Sequence, residues 1–589
     1  LAIAPQRLAE FRALCERERC PFAMIGVATD DGQLTVHDKH FANDAVAMPI
    51  GVLLGKPPRM ARTATRHKTS GTPFDLDDLD LHEAALRVLR LPSVASKNFL
   101  ITIGDRSVGG MTARDQVVGP WQVPVADCAV TTSGFTTTQG EAYAMGERTP
   151  LALLDGPAAG RMAVGEALTN LAAASVAGLG QVKLSANWMA ACGHGHEDAA
   201  LFDTVHAVAL EFCPQLDLSI PVGKDSLSMK TTWQDYEEDR QVVAPLSLII
   251  TAFAPCLDVR RTLTPQLIRD EAENTSELLL IDLGEGHNRL GGSALAQVYG
   301  AVGDIPPDAD AQLLKSFFGV VQQLAGENLI LAYHDRSDGG LFATICEMAF
   351  AGHVGVSLNV DTLCYDPLMN DVDGMERKPD VVDGRLFDRL FAALFNEELG
   401  AVLQIRRGER EHVMAILREA GLGKVTHVIG TLNNEDEVRI WRNAKLAFSA
   451  TRSELQRTWS ETSFQIARLR DDPICAEQEF DTLLDTKDPG LSAHMTFTPG
   501  TPLIARYKPK IAILREQGVN GHLEMAAAFE RAGFSAHDVH MSDLQAGYFS
   551  LGDFHGFAAC GGFSYGDVLG AGQGWAKSIL FNNRLRDEF

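Results

Sequence analysis

Short apolar runs alternate with helical stretches along this chain, and that alternation constrains it most: sheets must be buried against helices. One such unit occurs twice. Leu1-Ala2-Ile3 leads into a charged helical stretch through Arg19, then Met24-Ile25-Gly26 and Leu34-Thr35-Val36. Late in the chain Val402-Leu403-Gln404-Ile405 leads to a helix around Glu409 to Glu419, then Val428-Ile429-Gly430 and the strand Val438-Arg439-Ile440. Strand-helix grammar of this kind is common, so coincidence stands beside duplication. Duplication predicts that residues 1–60 are the tail of a preceding domain.

The 589 residues leave room for several domains of ~150 residues each. Residues 61–92, preceded by Pro57-Pro58 and carrying Gly71-Thr72-Pro73 and an acidic run from Asp75 to Asp80, read as a linker that ends in a short amphipathic helix. Residues 93–256 read as a mixed α/β domain with strands at Phe99 to Ile103 and Leu246 to Ala252 and a helix from Arg161 to Val176. Residues 257–449, opening with a strand at Leu278 to Leu283, read as a second domain, and 450–507 as a polar, helix-rich connector. From residue 508 the strand Ile511 to Leu514, a helix from about Gly521 to Gly533 and the strand Gly556 to Ala559 begin a parallel α/β domain that residues 508–589 are too short to complete.

Asp plus Glu number 77 against 52 Lys plus Arg, a net charge of -25, so the long-range field repels polyanions. No basic run interleaved with aromatics offers a local exception, and nucleic acid is not expected as a partner. No apolar stretch approaches the ~18 residues of a membrane span. The 10 cysteines form no CxxC pair, which points away from a zinc framework or a disulfide scaffold and towards a reducing cytoplasm.

Oxygen ligands make the strongest constellation. Asp127 closes an apolar stretch, and in Gly165-Glu166-Ala167-Leu168-Thr169-Asn170 the four-residue spacing puts Glu166 and Asn170 on one helix face. That ligand type suits magnesium, and a solvated helix face is the plain alternative. His334-Asp335-Arg336-Ser337-Asp338-Gly339-Gly340 lies between an apolar strand and a helix, where backbone N–H groups and Asp335 are placed for phosphate and metal. An ordinary N-cap by Ser337 or Asp338 is the alternative. Pro221-Val222-Gly223-Lys224-Asp225-Ser226 reads as a surface turn or a phosphate contact through Lys224. Cys192-Gly193-His194-Gly195-His196 packs its ligands too closely for zinc, and Gly562-Phe563-Ser564-Tyr565-Gly566 matches a nucleophile elbow but no His follows His555.

These segments together with Gly104-Asp105-Arg106-Ser107-Val108-Gly109-Gly110, Pro221 to Met229, Ile511 to Gly521 and Cys560-Gly561-Gly562-Phe563-Ser564-Tyr565-Gly566-Asp567 resemble formylglycinamide ribonucleotide amidotransferase of the long single-chain type, over essentially the whole chain. The resemblance implies an α/β and α+β multidomain fold: a second synthetase half of two α+β domains, followed by a truncated class I glutaminase-like α/β domain. It implies a ligase of purine biosynthesis whose substrates are formylglycinamide ribonucleotide, glutamine and ATP. Asp127, Glu166, Asn170 and Asp335 then look like magnesium ligands, with Ala126 and Ser337 contacting ATP or ADP at a site that resembles the family's structural nucleotide site. The glutaminase Cys, His and Glu are expected beyond Phe589, and Cys560 is not expected to be the nucleophile. A nucleotide-binding module without turnover, and a related synthetase acting on another ribonucleotide, are the competing readings.

Overall fold

Residues Leu1–Ala64 and Thr65–Phe589 form two units. The computed structural model describes residues 1–18, 20–56, 63–67, 71–107, 110–236, 238–269, 275–365, 383–498 and 507–589. Pro57-Pro58 and the Val108-Gly109 step lie outside the described residues.

In the first unit a helix, Leu8–Arg17, precedes a hairpin of β1 (Gln33–Asp38) and β2 (Asn43–Pro49), paired antiparallel from Gln33 opposite Pro49 with a bulge at Val36/His37. Leu1-Ala2-Ile3 and Met24-Ile25-Gly26, expected as strands, are coil, with Ile25 fully exposed. A strand needs a ladder, and among the described residues of this unit only β1 and β2 supply one.

The second unit holds two large sheets. The first comprises β3 (Thr112–Arg114), β4 (Ala129–Thr132), β5 (Gly140–Glu147), β6 (Lys183–Met189), β7 (Val222–Ser226) and β10 (Ser247–Cys256), ordered β3-β4-β5-β10-β6-β7. All pairs are antiparallel except β6 with β7. Between β7 and β10 a separate hairpin is made by β8 (Lys230–Asp235) and β9 (Glu238–Val243). Lys224 therefore lies on a paired strand rather than on the expected surface turn.

The second sheet comprises β11 (Ser276–Asp282), β12 (Ile330–Asp335), β13 (Gly355–Asn359), β14 (Gly400–Arg406), β15 (Thr426–Asn433), β16 (Glu437–Arg442) and β17 (Lys445–Thr451), ordered β12-β14-β11-β15-β13-β16-β17. β13 and β16 run parallel and the other neighbours antiparallel. Every residue of β11 is buried, which its unbroken Leu-Leu-Leu-Ile run requires.

One helix, Gly156–Leu171, is packed into both sheets. Asp155 caps it by accepting from the Ala158 N–H at 2.9 Å. Its small residues set how closely the layers approach: a Cβ on Gly146 of β5 would lie 2.1 Å from the Ala163 carbonyl oxygen, and one on Gly165 2.2 Å from Leu399 Cδ1. Leu168 and Val164 of this helix share a core with Leu279 and Ile281 of β11 and with Ile250 and Ala252 of β10. The observed bounds start before and end before the expected Arg161 to Val176, because Asp155 supplies the earlier cap.

Two expectations need correction. Phe99 to Ile103 is not a strand: Asn98–Ile101 is one helical turn, with the Phe99 N–H donated to Ser463 Oγ at 2.8 Å and the Thr102 hydroxyl to the Asn98 carbonyl at 2.7 Å. Those bonds take groups that a ladder would need. Within the segment read as a linker, the helix Leu81–Arg90 is capped by Asp80 and buries Ala84, Ala85, Val88 and Leu89 completely. Burial of Val88 and Leu89 contributes ~1.5–3 kcal/mol each, far more than a linker needs.

The connector carries two helices, Arg452–Arg470 and Pro473–Thr482, the first started by a capping box of Thr451 and Glu454. Residues from 508 onward place β18 (Lys510–Arg515) between β19 (Ser535–His540) and β20 (Gly556–Ala559), all parallel, with the helix His522–Arg531 as crossover. The chain is thus the mixed α/β and α+β multidomain protein expected, with a parallel α/β sheet from residue 508 onward. No helix among the described residues is long and apolar enough to cross a membrane.

Candidate functional site

The two sheets bring the predicted oxygen ligands together. Asp127 lies just before β4 and Glu166 and Asn170 on the Gly156–Leu171 helix, while Asp335 ends β12 in the other sheet. Asp127 Oδ1 accepts the Asp335 backbone N–H at 3.1 Å, so the joint between the domains is itself a hydrogen bond. Thr169, between Glu166 and Asn170, donates to the Glu166 carbonyl at 3.0 Å and reaches Asp335 Oδ2 at 3.4 Å. Tyr333 donates to the Thr169 carbonyl at 2.6 Å and fixes the helix end against β12.

Each ligand candidate has a distinct setting. Glu166 is buried and accepts the Glu147 N–H at 2.6 Å through Oε2. Asn170 donates its amide to the Met145 carbonyl at 3.1 Å, which turns its oxygen the other way. Ala126 directly precedes Asp127 and is half-buried; Ser337, two residues after Asp335, accepts the Gly340 N–H with its carbonyl at 2.9 Å. Asp127 Oδ2 is buried and has no hydrogen-bond partner. An orphaned carboxylate oxygen inside a protein costs free energy unless something positive meets it, so the residues fit a cation.

Electrostatics point the same way. Burial raises the Asp335 carboxyl to about 7, with Asp127 adding to the shift and His334 opposing it. Burial also holds Glu166 well above the ordinary carboxylate range against the pull of Arg148, and raises Asp338 likewise. Carboxyls held away from water and pressed by one another's charge are what a hard divalent ion relieves.

Residue types alone missed the frame of this site. Arg148, almost fully buried, donates to Asp338 Oδ1 at 2.7 Å and to Glu397 Oε2 at 2.8 Å and lies 3.8 Å from Glu166 Oε1. Glu397 in turn accepts the N–H groups of Gly339 and Ala294, each at 2.8 Å, through its other oxygen. The N-cap by Ser337 or Asp338, the alternative to a phosphate and metal role, is absent: the cap position is Gly339, left-handed and without a side-chain cap, because Asp338 is drawn to Arg148. His334 meets Asp127 Oδ1 with Nδ1 at 2.8 Å and Glu347 Oε2 with Nε2 at 2.9 Å. Its adjacency to Asp335 was the available signal; Arg148, Glu347 and Glu397 belong to no motif that marks a site and gave none.

Other motifs are not assembled into sites. Among the described residues Asp127, His334 and Asp335 are the one group of His, Cys, Asp and Glu placed to hold a metal, and Cys192, His194 and His196 are not such a group. In the last domain Tyr565, at φ 55°, donates to Glu516 at 2.8 Å, so the Gly-Phe-Ser-Tyr-Gly segment is a loop clamped to β18. Burial raises the Cys560 thiol, and Glu524 and Asp538 raise it further. A nucleophilic cysteine needs the opposite shift.

Sheet, helix and ligand placement define a synthetase module of the AIR-synthase-related class joined to a glutamine amidotransferase domain. Family models match accordingly: the FGAR-AT PurM_N-like domain over residues 96–255, the AIR synthase related protein C-terminal domain over 277–443, and the CobB/CobQ-like glutamine amidotransferase domain over 508–589. The chain belongs to the FGAR amidotransferase family. Among solved structures it is similar to Thermotoga maritima PurL complexed with FGAR, at 11% identity and a TM-score of 0.44 over 64% of this chain and 53% of that one. The same protein complexed with ATP matches at 12% identity and a TM-score of 0.41 over 64% and 52%. HypE of Escherichia coli, a hydrogenase maturation protein, matches at 17% identity and a TM-score of 0.35 over 53% and 84%. The chain spans about half the length of the PurL chains.

Proposed function

We propose that this chain serves the ATP-dependent conversion of formylglycinamide ribonucleotide and glutamine to the amidine in purine biosynthesis, and that its own contribution is a structural magnesium-nucleotide site. The order of the matched domains supports the reaction. The observation that carries the site is the buried, unpartnered Asp127 Oδ2 beside Asp335. In this reading Asp127, Glu166, Asn170 and Asp335 hold magnesium, and Ala126 and Ser337 contact ATP or ADP. Bound there, magnesium would offset the charge of phosphate oxygens.

The chain's own residues do the positioning. Arg148 and Glu397 fix the Gly339-Gly340 turn whose N–H groups open the helix Gly340–Gly352. Tyr333 and Thr169 hold the Glu166-bearing helix against β12. A set so fully tied by hydrogen bonds and ion pairs suits holding a nucleotide better than turning it over, which favours a module without turnover of its own. No nucleophile is assigned within 508–589, and the cysteine spacing without a CxxC pair favours a reducing compartment such as the cytoplasm.

Calorimetric titration of ADP in magnesium tests the site. Asp127→Asn and Glu166→Gln are each expected to weaken binding by roughly tenfold or more, a loss of about 1.4 kcal/mol. Native affinity in both variants rejects it. Incubated with glutamine, the chain is expected to release no glutamate.

A further inference from the structure

We propose that His334 is a positioning residue that aims Asp127 at the cation and is not itself a ligand. The inference rests on the magnesium reading above. Distance alone leaves the matter open, since the candidate ligand atoms of Asp127, His334 and Asp335 all lie within 4.8 Å of one another. The ring nitrogens decide it. Nδ1 is 2.8 Å from Asp127 Oδ1 and Nε2 is 2.9 Å from Glu347 Oε2, so both are spent on carboxylates and neither presents a lone pair to a metal.

The consequence falls on Asp127. Its Oδ1 receives two donors, the imidazole and the Asp335 N–H at 3.1 Å, which fixes the plane of the carboxylate. Its Oδ2 is left buried and without a partner, on a side chain with no exposure at all. Glu347, on the helix Gly340–Gly352, holds the imidazole from behind. Glu347, His334 and Asp127 therefore form a chain in which two carboxylates clamp one ring, and the end of that chain is a single presented oxygen. Groups outside a coordination sphere that fix a ligand's orientation commonly change metal affinity 10–100-fold. A ligand sphere of oxygen without imidazole also keeps the site suited to hard ions.

The test uses the full chain with Mn2+ and ADP as probe. Electron spin-echo spectra of bound Mn2+ are compared between ordinary protein and protein grown with heavy-nitrogen histidine; no histidine-nitrogen coupling of a bonded ligand is expected. His334→Gln is expected to lower Mn2+ affinity roughly 10–100-fold and Glu347→Gln to lower it less, both at unchanged circular dichroism. A bonded histidine nitrogen, or native affinity in both variants, overturns the proposal. Should His334→Gln fail to fold, the native spectrum decides alone. Failure of the native chain to bind Mn2+ with ADP instead overturns the site itself, an outcome distinct from binding through nitrogen.

Discussion

At Gly340 two demands meet on one backbone position. Its φ is 68°, a left-handed conformation, and a Cβ there would lie 2.5 Å from the Asn396 carbonyl oxygen. The left-handed strain of an L residue is about 1–2 kcal/mol and overpacking adds about 1–3 kcal/mol, so Gly340→Ala is expected to lower unfolding free energy by at least about 2 kcal/mol in urea titration. Gly319 gives the contrasting case: it is exposed within the helix Ala311–Gly326 and a Cβ would meet nothing within 4 Å. Gly319→Ala is expected to stabilise by about 0.5–1 kcal/mol. Residue type does not separate the two glycines; the left-handed φ of Gly340 and the approach of Asn396 do. The same limit governed the site. Glu166 and Asn170 were legible because helical periodicity relates them, whereas Glu347 sits in an apolar helix whose pattern says nothing of what a lone acid faces.

His353 adds a pH dependence at the same scale. Burial lowers its pKa to about 4, with Arg452 contributing, and its ring stacks on Trp121 at 4.3 Å. The unfolded imidazole binds its proton near pH 6.5, so between pH 6.5 and 4 the unfolded state holds more protons and this residue's stabilising contribution is lost as pH falls. Partial exposure screens the effect. Against wild type, His353→Gln is expected to show a shallower loss of stability across that window in urea titrations at stepped pH; the comparison between variants removes the opposing trend of Asp335 and Glu397, whose carboxyls are raised to about 7 and favour the fold as pH falls.

Among elements, the helix Gly156–Leu171 is the one whose placement decides the site. Its close approach to β5 depends on Gly146, and Gly146→Ala is expected to cost about 1–3 kcal/mol and to weaken ADP binding in magnesium as well, because Glu147, the next residue, donates to Glu166. Thermal melting and calorimetry check the two parts. The strands β10 and β11 and the body of this helix were readable from apolar runs, whereas its start at the Asp155 cap was not. Asn98–Ile101 was not, because its N–H partner, Ser463, lies on a helix far along the chain and local pattern cannot anticipate it.

On the scale of the whole molecule, the proposed site takes Asp127, Glu166 and Asn170 from one domain and Asp335 from the other, so nucleotide binding there would be linked to the folding of residues 65–589. ADP in magnesium at about 100 times its dissociation constant is expected to stabilise by ~2.7 kcal/mol. Differential scanning calorimetry should show the rise in the transition that unfolds both sheets, and a rise confined to one would argue against a shared site. The net charge of -25 is silent on the proposed nucleotide site, where local pairing rules: Arg148 is held by Asp338 and Glu397, and the Gly339 N–H by Glu397.

The hydrogen bond from the Asp335 N–H to Asp127 has a use in the hands of an experimenter. A chain severed between β10 and β11 would yield one piece bearing Asp127, Glu166 and Asn170 and another bearing Asp335, each blind to nucleotide by itself. Mixed together they become a reassembly reporter: regained ADP binding reads out their reunion, and magnesium becomes the glue whose concentration sets how much of it occurs.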